Sequence, residues 1–432
     1  MAPLPSDPAY RPAPLLPEEP RRVELPPEGP ASGKRWTSDA CCPADEARCG
    51  PCLPSCGDPG GAGLLDPLGR LLGIEARGWI DQGVTVNTYS PRDRSNGPVV
   101  YNDRSNDYQM NQLYLIMESP IDADRDRLQI GGRVDLLYGT DHVYTSSLGL
   151  ESFRDGGAKW NSDNGPVGTN YGLSMPQLYL EAFAPWGNGL SVKLGHFYTI
   201  MGYEVVEAPE NFFYSHAYHF QYAEPLTHTG LLAEYALGER LKLQAGLTRG
   251  WDTWEDNNND LGFLGGLAWT SRCRRTSLAL SMHTGPEADE PPAQARVRTA
   301  YSLVLRHKLS ERLTYGLHHD WGYEPRATAA DPLGNWYGLN QYLIYRMNPI
   351  WAAGLRFEWF YDKGGTRVLD TPTPQPAHFF ELTAGLNWTP RERLIVRPEI
   401  RWDWASDSAV HPFVDATRDH QLLVAMDVIV TF

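Results

Sequence analysis

The chain has 432 residues, 41% of them apolar, enough for a sizeable core and long enough for two or three ordinary domains. Its 41 Gly, 22 Tyr and 14 Trp favour strands and turns over helices, so an all-β protein is expected. The balance of 38 basic against 53 acidic residues, −15 net, argues against nucleic acid as a partner. No uninterrupted apolar run reaches the roughly 18 residues of a helical membrane span, which leaves barrel strands of about 9 to 11 residues open.

Residues 1–73 are a compartment of their own. Fifteen of the 35 prolines fall there, in runs such as PLPSDPAYRPAPLLPEEP, and proline at that density removes backbone donors and blocks both helix and sheet. A disordered periplasmic tail is expected, with one short amphipathic helix over 62–73 before the first strand. The start, MAPLPSDPAY, shows no basic stretch followed by an apolar one, so no secretory signal peptide stands in this numbering. Cys41, Cys42, Cys49, Cys52 and Cys56 cluster in the tail, and Cys273, in the turn RCRR, makes the count even. Cys49 and Cys52 have zinc-knuckle spacing, but no His stands nearby, and an oxidising compartment turns such clusters into disulfides; all six are therefore disulfide candidates, in any of 15 pairings.

From residue 74 to 432 the chain repeats one pattern, 10 to 13 residues of alternating character followed by a turn signal. Sixteen such segments are predicted, near 75–88, 108–118, 127–140, 173–184, 188–198, 226–237, 240–250, 261–271, 276–284, 297–308, 312–323, 335–346, 351–362, 378–389, 393–404 and 420–432. The connections after even-numbered segments are brief, as in PWGNG, RCRR, LSER and TPRER, whereas those after odd-numbered ones are long. An even strand count with connections sorted by length is the pattern of a transmembrane antiparallel up-and-down barrel. In WAAGLRFEWFYD the bulky set Trp351, Leu355, Phe357, Trp359 and Tyr361 alternates with Arg356, Glu358 and Asp362; LIVRPEIRWDW sets Leu394, Val396, Ile400 and Trp402 against Arg397, Glu399, Arg401 and Asp403. Burying those charges in a dry core would cost several kcal/mol per uncompensated ion, so a wet interior with lipid outside is expected. The final strand, with Val428, Val430 and a terminal Phe432 on one parity, resembles the signal that outer-membrane barrels present to their assembly machinery.

The segments GWIDQGVTVN, NQLYLIMESP, PQLYLEAFAP, LGHFYTIMGYEVVEAPENFFYSHAYHF, EPLTHTGLLAEYAL and GWDTWEDNNN resemble the OmpL-like β-barrel porins of Gram-negative bacteria, planctomycetes included. The resemblance spans 74–432 and implies an outer-membrane channel, in contact with membrane lipid and the barrel-assembly machinery, passing small hydrophilic solutes or ions passively. By analogy with general porins of this strand number, a homotrimer is expected.

The connection from Thr199 to Pro225 is the candidate site. It holds Glu204, Glu207, Glu210, Phe212, Phe213, Tyr214, His216, Tyr218, His219 and Phe220, too apolar a set to lie in water, so it should fold inward and constrict the lumen. Candidate pore-lining residues by parity are Arg133, Lys193, Arg298, Arg306, Arg356, Glu358, Glu381, Arg397, Glu399 and Arg401; Lys193 and His196 have opposite parity, so only one of them lines the lumen without a bulge. The competing reading pairs these bases with Glu118, Glu181, Glu358, Glu381 and Glu399 in cross-strand ladders.

No cofactor or metal site is expected. His318 and Asp320 share a face but His319 points away, leaving at most two ligands together, and Asp256, Asn258 and Asp260 lack the Gly and bidentate Glu of a calcium loop. The rival functions are a barrel enzyme of lipase or protease type, for which His228 beside Glu234 is the nearest constellation, and a structural envelope barrel.

Overall fold

The computed structural model describes residues 73–432 except 122–126, 154–156, 161–169, 288–295, 326–333, 370–374 and 407–410. The tail, its five cysteines and its predicted helix lie outside the described residues. Sixteen strands follow in order. They are β1 (Glu75–Asn87), β2 (Asp107–Ser119), β3 (Gln129–Gly139), β4 (Gly172–Ala184), β5 (Leu190–Tyr198), β6 (Thr227–Gly238), β7 (Leu241–Thr248) and β8 (Gly262–Thr270). The second half comprises β9 (Thr276–Glu287), β10 (Arg296–Lys308), β11 (Leu313–Tyr323), β12 (Asn335–Asn348), β13 (Trp351–Asp362), β14 (Ala377–Arg391), β15 (Leu394–Ala405) and β16 (His420–Thr431). Each strand pairs antiparallel with its chain neighbours, and β1 pairs with β16, which closes the barrel. Alternation and turn chemistry place these strands within a few residues of their predicted bounds.

Closure joins residues far apart in sequence. Trp79 to Asn87 run against Leu423 to Thr431, and Gly78 and Phe432 exchange backbone hydrogen bonds of 3.0 and 2.9 Å at the seam. Gly78 is needed there, because a Cβ would stand 2.2 Å from the Tyr114 carbonyl and 2.8 Å from the Phe432 ring. A closed sheet leaves no unpaired edge, which is the condition for a β-structure to stand in hydrocarbon.

The two faces separate by parity. On β13, Leu355 is 48% exposed while Arg356 and Glu358 are fully buried. On β16, Val424, Met426 and Val430 are exposed while Gln421, Leu423, Asp427 and Ile429 are not. Outward aromatic rings gather at both ends of the strands: Trp351 stacks on Trp388 beside the short turns, and Trp402, Trp404 and Phe380 cluster beside the long connections. Two such girdles fit headgroup depth on either side of an apolar band. Leu355 lies between them. Leu355→Arg is expected to lower folding stability in lipid vesicles by about 2–4 kcal/mol, with Leu355→Ala as the milder control. Urea titration of the lipid-embedded barrel measures this, and an unmoved midpoint for the arginine variant would show that this face does not meet hydrocarbon.

Candidate functional site

Between β5 and β6 the chain runs through 199–226 with only a 3-10 turn at Ala208–Glu210 and a π-helical turn at His219–Ala223. The segment is nevertheless buried, with Phe212, Phe213, Tyr214, Tyr218, His219 and Phe220 each no more than 4% exposed. It lies against the inward face of β13, β14, β15 and their neighbours. Its rings seat on wall glycines. A Cβ on Gly354 would come within 2.3 Å of Phe212, and one on Gly83 within 2.7 Å of Tyr214. Tyr203 stacks on Tyr342 of β12 at 4.0 Å, and His216 lies between Tyr101 and Phe220.

Irregular backbone buried in this way must find hydrogen-bond partners outside itself. The wall charges supply them. Glu399 accepts the N–H groups of Tyr214 and Ser215 at 2.9 and 3.1 Å, and Glu358 accepts those of Tyr218 and His219, both at 2.7 Å, together with the His219 Nδ1 contact. In the other direction Arg397 donates to the carbonyls of Ala208 and Asn211 at 2.8 and 2.7 Å, Arg356 to that of Ser215 at 2.6 Å, and Arg401 to that of His216. A bulge in β2 opposite Asp81 and Gln82 buries two successive amides, Asn111 and Gln112. Asn111 accepts from the Tyr214 hydroxyl at 2.8 Å, and Gln112 donates to the Val206 carbonyl at 2.7 Å.

Each of these arginines is also neutralised within the wall. Arg356 donates to Glu381 at 2.6 Å, Arg397 pairs with Asp427, and Arg401 with Asp403 at 2.8 Å. Arg356 further reaches Glu204 of the segment at 2.7 Å, where the Tyr342 hydroxyl and the Ala217 N–H also donate. Burial pushes the Glu204 carboxyl up, but the Arg356 guanidinium and these donors outweigh it and hold the group well below its ordinary value. Burial, with the nearby charges of Arg356 and Arg397, lowers His216 below its ordinary value despite the 3.0 Å contact of its Nδ1 with Glu204.

The remaining expected site residues are placed as follows. Arg133 pairs with Asp135 at 2.7 Å and with Glu207 at 3.3 Å, joining β3 to the segment, whereas Glu210 is only partly buried. Arg306 lies over the Tyr203 ring at 4.3 Å, and Arg298 pairs with Glu324 at 2.8 Å. Lys193 lies over Tyr179 at 4.6 Å, in register with Glu181, while His196 is in register with Leu178 and buried against Ser147 and Thr229. The ladder reading holds for Arg356 with Glu381, but Glu358 and Glu399 serve the segment's backbone, and Glu118 pairs with Arg77. Val428 and Val430 share the outward parity of β16. Cys273 has no disulfide partner among the described residues, and its Sγ lies 3.6 Å from the Ser271 hydroxyl. Asp256 caps its own turn through the N–H groups of Asn258 and Asn259.

The constellation considered for an enzyme is not assembled. His228 bonds the Gly250 carbonyl and Thr199 and stacks on His283, while Glu234 pairs with Lys242 further down the strand. Sequence reasoning did not reach Asp427 and Asp403 as partners, although their inward parity was visible, nor the Asn111–Gln112 pair, which depends on a bulge that no residue type announces.

A family model described as "Putative beta-barrel porin-2, OmpL-like" matches residues 73–432. The chain belongs to this porin family. As such it is an outer-membrane barrel. Solved structures of similar fold include the outer membrane channel DcaP of Acinetobacter baumannii, 12% identical, covering 83% of this chain and 97% of that one with a TM-score of 0.53. OprB of Pseudomonas putida is 12% identical, covering 85% and 96% with a TM-score of 0.53. The trimer form of OmpT from Vibrio cholerae is 9% identical, covering 83% and 99% with a TM-score of 0.52. At such identities the likeness is one of fold. Among curated proteins none matches the chain.

Two outcomes follow for this porin's buried segment. Arg356→Met leaves Glu204, Glu381 and the Ser215 carbonyl without their common donor and should destabilise the barrel or its segment by about 3–5 kcal/mol. Arg77→Met, at a pair 36% and 22% exposed, should change it by less than about 1 kcal/mol. Thermal melting and protease cleavage inside 199–225 measure both. Because the Glu204 carboxyl is depressed, its contribution is complete above its ordinary value of 4.5 and is lost only as pH falls through the lower folded value. Glu204 itself should therefore add nothing to any rise in cleavage between neutral pH and about 5; a mildly acidic rise in the wild type that is missing from the Glu204→Gln variant would mean that Glu204 titrates there after all.

Proposed function

We propose that the barrel passes small hydrophilic solutes or ions by passive diffusion, through water left between the 199–225 segment and the opposite wall, with that segment as the constriction. The observation that carries this reading is an irregular, aromatic-rich segment held inside a closed barrel of the porin family by wall charges, so that the free cross-section is set by a fixed internal element rather than by strand number alone. Of its acids, Glu204 is closed in with Arg356, whereas Glu207 and Glu210 keep some exposure; these two and the facing wall charges, Arg133, Lys193 and Arg306 among them, would set the preference between cations and anions. Short turns of such barrels face the periplasm, and β1 begins at that end, so residues 1–73 would extend from it as a periplasmic tail. The trimer form of OmpT makes a homotrimer the assembly to test, by cross-linking in detergent.

Planar-bilayer recording tests the reading. The wild-type barrel should carry ion current, and Glu207 and Glu210 changed together to Gln, with Glu204 left to hold the segment, should shift the reversal potential in a salt gradient away from cations. Absence of current would overturn the channel, and an unshifted potential with current intact would remove these acids from its selectivity.

A further inference from the structure

At the end of the buried segment, Glu224 meets two side chains of β11. His318 and Asp320, two residues apart on the inward face, point to the same spot as the Glu224 carboxylate, and one ligand atom from each lies within 4.8 Å of the other two. His318 Nε2 is 2.8 Å from Asp320 Oδ1, 3.7 Å from Glu224 Oε2 and 2.9 Å from the Ser302 hydroxyl. Exposure is 3% for Glu224, 1% for His318 and none for Asp320. Yet Glu224 Oε2 and Asp320 Oδ2 are buried without any hydrogen-bond partner. Two carboxylates gathered at one imidazole in a dry pocket, each with one oxygen unsatisfied, form an arrangement that buried polar groups do not adopt without compensation.

We propose that Glu224, His318 and Asp320 bind one divalent first-row transition-metal ion, Zn2+ being the reference case. One imidazole nitrogen with two carboxylate oxygens is a donor set for zinc and its borderline neighbours rather than for calcium, which takes six to eight oxygens. The ion would satisfy both orphan oxygens at once. The pocket is kept open on the segment's side by Gly202, where a Cβ would stand 1.9 Å from Glu224 Oε1 and whose φ of +91° favours glycine; its N–H donates to Ser302 at 3.1 Å. The ion would tie the C-terminal end of the 199–225 segment to β11, two strands along the wall from the arginine contacts that begin on β13. Reading β11 alone brought two of these ligands together; the third comes from a connection nearly a hundred residues earlier in the chain. The inference does not require that the barrel conduct.

The test uses the full chain with its cysteines alkylated, so that tail thiolates take up no metal, refolded into detergent with or without Zn2+ and dialysed. One equivalent of zinc should remain per chain in the presence of excess Mg2+, and the unfolding midpoint should rise relative to the zinc-free sample. Co2+ in its place should give a visible d–d spectrum without thiolate charge transfer. Glu224→Gln and Asp320→Asn, each checked for heat-modifiable migration as a folded barrel, should weaken zinc binding by about 100-fold or more, since even residues outside the ligand shell are worth 10- to 100-fold. Absence of stoichiometric zinc in the folded wild-type barrel, or zinc retained equally by both folded variants, would overturn the assignment.

Discussion

The structure depends on one requirement: a stretch of irregular chain has been brought inside a closed sheet, and its peptide groups have to be hydrogen-bonded there. The strands use their own peptide groups to pair with each other, so little of the wall's backbone is left over. Partners therefore come from inward side chains, and most of them are charged. Carboxylates on β13 and β15 take up N–H groups from 214 to 219, and guanidinium groups on β13 and β15 take up carbonyls from 208 to 216. Each unsatisfied group would cost about 1–3 kcal/mol, so the segment's position is fixed by many contacts of comparable weight rather than by one lock.

That arrangement also explains how so much charge is tolerated inside. An isolated buried ion carries a desolvation penalty of several kcal/mol, and close opposite charges and extra donors reduce it. Arg356, Arg397 and Arg401 each have an acid in the wall and a carbonyl in the segment, so their guanidinium groups are neutralised and solvated by protein at the same time. Arginine suits this better than lysine, because its planar fork presents several donors in fixed directions. The wall glycines are the complementary adaptation: they lower the inner surface where Phe212, Tyr203 and Tyr214 must lie flat.

Most of the barrel was legible in the sequence because its physical causes are local. Strand alternation has a period of two, turn residues punctuate it, and connection length reports which end of the barrel a turn occupies. The outward set Leu355, Phe357, Ile400 and Trp402 and the inward set Arg356, Glu358, Arg397 and Arg401 separate on parity alone. What parity cannot give is a partner. Register between distant strands decides that Arg397 meets Asp427 across β15 and β16, and a bulge decides that Asn111 and Gln112 both turn inward. The composition of the 199–225 segment pointed to burial, but not to the fact that its peptide groups, more than its side-chain acids, engage the wall's charges.

This last point bears on what a permeating solute would meet. If the wall arginines and the segment's acids had faced each other across open water, the lumen would present bare charges of both signs and a strong transverse field. Instead the charges around Arg356 are spent in closed sets, and their fields fall off as those of dipoles and higher multipoles. Groups that keep some access to water stand elsewhere, towards the short-turn end: Arg77 with Glu118, Arg133 with Glu207, and Lys242 with Glu234, side chains between 14% and 36% exposed. These pairs are separable by water and salt in a way the buried sets are not. If the barrel conducts as proposed, discrimination by charge would therefore fall to the partly hydrated ring of pairs and discrimination by size to the packed segment above it, at different depths of the same barrel.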